Sequence, residues 1–230
     1  MKYKHIFFDL DRTLWDFDAN STETLQDIIV KYSLIEKGVS SFSAFNEVYL
    51  RFNTMLWNLY INGDLIKEKL NFQRFNLTLE AFGIRNSLLA SNISDEYVKM
   101  SLLRTILFPH AIETLEYLYG QYKLHIITNG FEEVQFKKLE LSGMNKYFEH
   151  VITSEDAGAR KPNERIFQYA LGKTGARAGE CLMIGDEIEI DLLGAKAVGL
   201  DQMYVNYAGR VHNESFTFEV RSLVEIIAIL

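Results

Sequence analysis

One cysteine, two prolines and five histidines in 230 residues close off several chemistries before any motif is read. The lone Cys181 excludes an internal disulfide and a cysteine-built zinc site, and it suits a reducing compartment. Its ordinary place is as a small hydrophobe buried in a strand. Positive charge is short as well: a net charge of -7 argues against a nucleic-acid surface, which needs a basic stripe to release counterions from phosphates. No apolar stretch approaches the roughly 20 residues of a membrane span. Lys2 and Lys4 precede an apolar run, but Asp9 and Asp11 interrupt it too early for a signal peptide. The expectation is a cytoplasmic, soluble protein that acts on a small molecule, with no membrane or nucleic-acid polymer as partner and its oligomeric state open. If that molecule is anionic, cations must be supplied locally.

What is present is an ordinary globular balance, 48% hydrophobic and 24% charged, in a chain long enough for one large domain or a core with a satellite. The first apolar run, His5-Ile6-Phe7-Phe8, leads into Asp9-Leu10-Asp11-Arg12-Thr13. A β-branched and aromatic run that ends in charge reads as a buried parallel strand delivering acids to a sheet edge. Alone, the same residues also fit a turn or a helix N-cap.

Beyond Trp15 the pattern turns helical. Asn20-Ser21-Thr22-Glu23 resembles a capping box, so a helix is expected to start near Asn20. Others are expected over about Phe42–Tyr60, Asp64–Phe82 and Ser94–Thr105. No strand is expected between Leu14 and Leu107. Residues 16–105 therefore read as an inserted all-helical cap domain and a candidate lid, with Phe52, Trp57, Tyr60 and Phe72 in its own small core. Residues 1–15 and 106–230 read as an α/β core. There, helices alternate with strands around Leu124–Thr128, His150–Thr153, Cys181–Gly185 and Gln202–Val205, which predicts βαβ units and a doubly wound parallel, Rossmann-like sheet.

Four strand ends, or the loops after them, carry polar residues: Asp9 and Asp11, then Thr128-Asn129-Gly130, then Lys161, then Asp186. A parallel sheet gathers such ends on one edge. Carboxylates with few histidines suit a hard cation such as Mg2+, which keeps water and phosphate oxygens in its shell. A hydroxyl and backbone N–H groups at Thr128-Asn129-Gly130, near a helix start, suit phosphate oxygens, and Lys161 supplies positive charge. Taken singly, Thr128-Asn129-Gly130 also reads as a turn, Lys161 as a surface lysine, and Asp186 and Asp191 as partners of a helix dipole.

Together, Phe8-Asp9-Leu10-Asp11-Arg12-Thr13-Leu14, Ile127-Thr128-Asn129-Gly130, Arg160-Lys161-Pro162 and Gly185-Asp186-Glu187-Ile188-Glu189-Ile190-Asp191 resemble the motifs of the haloacid dehalogenase superfamily, in its order and spacing. The resemblance covers essentially the whole chain and is to phosphatases with a helical cap after the first motif. It implies that Asp9 is the nucleophile that forms an aspartyl phosphate and Asp11 the acid/base. Thr128 and Lys161 would hold phosphate, with Asn129 and Gly130 beside them. The Asp9 carboxylate, Asp11 backbone carbonyl and Asp186 carboxylate would bind Mg2+, with Asp191 orienting Lys161. Arg12 and Glu187 depart from the usual pattern; Arg12 is open between substrate phosphate and a neighbouring acid. Within the superfamily the chain looks most like nucleotidases acting on pyrimidine nucleoside 5′-monophosphates, with N-acylneuraminate-9-phosphatases next. A dehalogenase, a sugar-phosphate mutase and a binding module are weaker fits. The first needs neither Asp11 nor Asp186, the second a histidine absent between His5 and His110, and the third has usually lost the acids retained here.

Overall fold

The computed structural model describes residues 2–230. Contacts divide the chain into two compact units, one taking residues up to Phe17 together with Thr105–Leu230, the other Asp18–Arg104.

The first unit is built on six parallel strands, β1 (His5–Phe8), β2 (Lys123–Thr128), β3 (Phe148–Thr153), β4 (Cys181–Gly185), β5 (Asp201–Val205) and β6 (Phe218–Val220). Their order is β3-β2-β1-β4-β5-β6, and every pairing is parallel. The chain first builds outward from β1 through β2 to β3, then restarts on the other side with β4. The switch point therefore lies between β1 and β4, where an open α/β sheet leaves a crevice beyond its carboxyl ends. β1 is central, and all four of its residues are buried. Ile6 and Phe8 pack with Leu124, Ile126, Leu182 and Ile184 on one face, Phe7 with Ile127, Ile152 and Met183 on the other. Each buried Phe or Ile contributes about 1.5–3 kcal/mol, so Ile6, Phe7 and Phe8 anchor the strand between His5 and Asp9.

The α-helices between these strands are α5 (Ala111–Leu118), α6 (Glu132–Leu141), α7 (Ser154–Ala157), α8 (Glu164–Thr174) and α9 (Leu193–Ala197), with α10 (Val224–Ile229) after β6. The α7 turn falls where the sequence suggests only a loop; Thr153 and Asp156 close a reciprocal capping box around it. Trp15 pairs antiparallel with Leu107, and Phe108 N–H bonds to the Leu14 carbonyl, so the two halves of this unit meet side by side.

The second unit is helical: α1 (Phe17–Lys31, all but its first residue), α2 (Phe42–Asn62), α3 (Lys67–Ala81) and α4 (Ser87–Leu102). Leu25, Ile28, Phe45, Tyr49, Phe75, Leu79, Ile93 and Tyr97 form its own core. Phe72 packs against that core and Tyr60 is buried, while Phe52 and Trp57 are half-buried outside it. Three helix starts differ from the sequence expectation. α1 opens at Phe17, and Asn20 and Ser21 are buried within it, with the Thr24 hydroxyl donating back to the Asn20 carbonyl. α3 opens after Asp64, because Gly63 at φ 86 ends α2 and the Asp64 N–H is spent on the Leu59 carbonyl. α4 starts at Ser87, capped by Asn86, whose side chain accepts from Leu89 N–H.

Candidate active site

Asp9 is the first residue beyond β1, and its N–H still bonds to the Ile184 carbonyl of β4 at 2.9 Å. It therefore stands at the switch point, beside Asp186 at the end of β4. The chain next closes a tight loop: Leu14 and Trp15 N–H groups donate to the Leu10 carbonyl, and Arg12 N–H to the Trp15 carbonyl. Arg12 sits at φ 66, a left-handed conformation that costs a non-glycine residue about 1 kcal/mol or more. Its guanidinium lies 4.7 Å from the centre of the Phe17 ring, and its charge offsets part of the burial that pushes Glu187 up. The loop thus gives Arg12 an aromatic face and a neighbouring acid.

Lys161 binds the site together. Its ammonium, 1% exposed, donates to Asp9 Oδ1 at 2.5 Å, Asp191 Oδ1 at 2.6 Å and the Ile127 carbonyl at 2.9 Å. Burial opposes its charge, but Asp191 and Asp9 outweigh that and hold its pKa above the ordinary lysine value. Its backbone is held too: Asn129 Nδ2 donates to the Lys161 carbonyl at 2.9 Å, and Asn129 Oδ1 accepts from Lys161 N–H at 2.8 Å. The Asn129 side chain, expected among phosphate-holding groups, is thus engaged with the Lys161 main chain. The Gly130 N–H is likewise engaged, donating to Thr128 Oγ1 at 3.0 Å.

Asp191 lies on a wide helical turn, Ile188–Leu192. Its Oδ2 accepts from Glu187 N–H at 3.1 Å while Oδ1 takes Lys161, so both oxygens are engaged. Gly185 makes the approach feasible, since a Cβ there would stand 2.5 Å from Asp191 Oδ2. The Thr13 hydroxyl lies 3.0 Å from Asp186 Oδ1 and 3.4 Å from Asp9 Oδ2 and bridges the two acids.

Asp9, Asp186 and Asp191 each offer a carboxylate oxygen, all within 4.8 Å of one another. Lys161 pairs with Asp9 and Asp191 but not with Asp186, so three ionised acids would leave two negative charges uncompensated in a buried space. Burial pushes the Asp9 carboxyl up to about 7 against the pull of Lys161. Asp186 is pushed well above the usual range by burial, then by Asp9, Asp191 and Glu187. A hard divalent cation on these oxygens would relieve that repulsion, so the donor set fits Mg2+. The Asp11 carboxylate lies outside this group: Lys138 Nζ pairs with Oδ1, and Gln135 Nε2 donates to Oδ2 at 3.1 Å.

Of the residues singled out in the sequence, Asp9, Asp186, Lys161 and Asp191 are brought into one cluster, with Asn129 bonded to the Lys161 backbone. Thr128 sits beside Gly130 and is bonded to Gln135 at 3.2 Å. Thr13, part of the first motif but given no role by the sequence, stands between Asp9 and Asp186; Gln135, Lys138 and Tyr207, whose hydroxyl donates to the Thr13 carbonyl at 2.8 Å, are site neighbours that sequence reasoning missed. Gln135 and Lys138 did carry a signal, a polar pair at i, i+3 on a helix that follows a site strand.

Residues 3–199 match the haloacid dehalogenase-like hydrolases. The chain is 33% identical to the pyrimidine 5′-nucleotidase YjjG of Escherichia coli over 100% of this chain and 99% of that one. It is 32% identical to a glyceraldehyde 3-phosphate phosphatase of Methanothermobacter thermautotrophicus, covering 88% of this chain and 85% of that one. The solved structure of YfnB from Bacillus subtilis, bound to magnesium, superposes with a TM-score of 0.89 at 26% identity, covering 100% and 99% of the two chains. With the acids of β1 and β4 meeting at the switch point and most of the chain matched, this protein belongs to the haloacid dehalogenase-like hydrolases.

Proposed function

We propose that the protein is a Mg2+-dependent phosphomonoesterase that works through an aspartyl phosphate and prefers nucleoside 5′-monophosphates, pyrimidine ones foremost. The observation that carries the preference is the 33% identity, along the whole chain, to a pyrimidine 5′-nucleotidase. A small phosphorylated molecule is the partner, and a cytoplasmic location follows the single cysteine.

In this reading an Asp9 carboxylate oxygen attacks phosphorus, and the P–O bond to the alcohol breaks as Asp11 gives that oxygen a proton. Water then attacks the aspartyl phosphate, Asp11 takes its proton, and phosphate leaves with Asp9 restored. Lys161 and Thr128 hold the phosphoryl oxygens, beside Asn129 and Gly130. Mg2+ held by the carboxylates of Asp9 and Asp186 and the Asp11 main-chain carbonyl would neutralise phosphate charge. Asp191, with both oxygens engaged, serves by holding Lys161.

A panel of phosphate esters assayed with Mg2+ tests the proposal: nucleoside 5′-monophosphates should give the highest kcat/KM, and a rank among the poorest substrates would refute the preference. The 32% identity to a glyceraldehyde 3-phosphate phosphatase favours small sugar phosphates as the second reading. Those esters, with an acylneuraminate 9-phosphate among them, belong in the same panel.

A further inference from the structure

Helix α6 carries two buried polar side chains, Gln135 and Lys138, 1% and 6% exposed, three residues apart on one face. Both point at Asp11. Lys138 Nζ is ion-paired with Asp11 Oδ1, and its position is bounded by the Trp15 and Phe17 rings, 5.3 and 5.7 Å away. Gln135 Nε2 donates to Asp11 Oδ2, and its Oε1 accepts from Thr128 Oγ1 at 3.2 Å. The neighbouring loop makes room for this: a Cβ at position 130 would stand 2.2 Å from Gln135 Nε2, so Gly130 is the residue that lets the amide reach across. Burying a lysine is unfavourable unless its charge is paired, and here the pairing is with an acid whose geometry matters to chemistry.

We propose that Gln135 and Lys138 are positioning residues that fix the Asp11 carboxylate for proton transfer and couple it, through Gln135, to Thr128. The inference rests on the reading of Asp11 as the acid/base. Each carboxylate oxygen has two lone-pair positions, so an oxygen held by Lys138 or Gln135 keeps one for the transferring proton. Without the two holds the carboxylate turns about its χ2 angle, and the aligned geometry that makes general acid catalysis effective is lost.

The test compares kcat/KM, which reports the chemistry up to departure of the alcohol, for two esters: the best alkyl phosphate of the panel and p-nitrophenyl phosphate, whose phenolate leaves without a proton. Lys138→Met keeps the packing against Trp15 and Phe17; Gln135→Leu keeps the volume. Each should lower kcat/KM for the alkyl ester about tenfold or more relative to the aryl ester, and Lys138→Arg should recover most of that ratio. Disturbed phosphate binding through Thr128, or a loosened fold, lowers both esters together and leaves the ratio unchanged. Asp11→Asn is the reference. If it loses the alkyl ester selectively while neither α6 variant does, the positioning role is overturned and the acid/base reading stands. If Asp11→Asn affects both esters equally, the acid/base reading fails and the positioning role falls with it. Should Lys138→Met not fold, Gln135→Leu decides the comparison by the same ratio.

Discussion

Two polar clusters sit on the same sheet and solve burial in opposite ways. At the carboxyl end, Asp9 and Asp191 pair with Lys161, Asp186 stands beside them, and charge is kept inside the protein. Four residues earlier on β1, about 13 Å away at the rise of a strand, His5, His125 and His150 stack across three neighbouring strands. His5 Nδ1 lies 3.0 Å from His125 Nε2, and burial, with the neighbouring His5, His150 and Lys123, pulls His125 down to about 3. Burial lowers His5 as well, and the three imidazoles pack as rings, with Phe7 4.9 Å from His125. Charge is retained where chemistry needs it and removed where only packing does. The pH response has opposite signs. Asp9 rises on folding from 3.8 to about 7, so in the metal-free protein its ionisation erodes stability as pH climbs through that window. His125 falls on folding from 6.5, so the unfolded chain binds its proton first and stability is lost as pH drops.

The contrast can be broken first at the nucleophile. Asp9→Asn should lower phosphatase turnover by about 10^3-fold or more with the fold intact by circular dichroism; unchanged turnover would refute the assignment. Next comes the buried cation. Lys161→Met leaves Asp9 and Asp191 facing each other, and should cost about 3–5 kcal/mol in denaturant unfolding as well as activity. A variant as stable as the parent would show the acids to be protonated and unpaired in need. Third, Mg2+ at about a hundred times its dissociation constant should stabilise the protein by about 2.7 kcal/mol, a rise in Tm that chelation reverses and Asp186→Asn largely removes. Tm indifferent to Mg2+ would sink the metal assignment. The smallest effect belongs to the histidines: His125→Phe should change stability little at pH 7 but flatten its decline between pH 6.5 and 3. An unaltered slope would place that decline elsewhere.

The acids were legible because chemistry concentrates them: Asp9 and Asp186 each follow an apolar run that reads as a buried strand, and parallel strands share an edge, while Lys161 was legible from the loop after the third strand. Asp191 was legible as a neighbour of Asp186, though not the wide turn that brings its carboxylate back over Gly185. Gln135 and Lys138 were legible only as a polar pair at i, i+3, because a glutamine and a lysine on a helix read as solvent-facing, and only the tertiary position of α6 turns them inward. Asn129 was read as a phosphate neighbour, since a bond between its side chain and a main chain 32 residues away has no local pattern. The helix starts of α1 and α4 differ for a related reason: Asn20 and Ser21 in α1 and Ser94 in α4 are polar residues accepted into a helix interior, where sequence treats them as a boundary.

That two-point bond has a mechanical meaning. Because Asn129 takes both the N–H and the carbonyl of Lys161, the loops after β2 and β3 are splinted, and a shift of one carries the other. The lysine is tied to the β2 loop through its backbone and to Asp9 through its tip. The splint works as a datum from which the place of the Lys161 ammonium is measured.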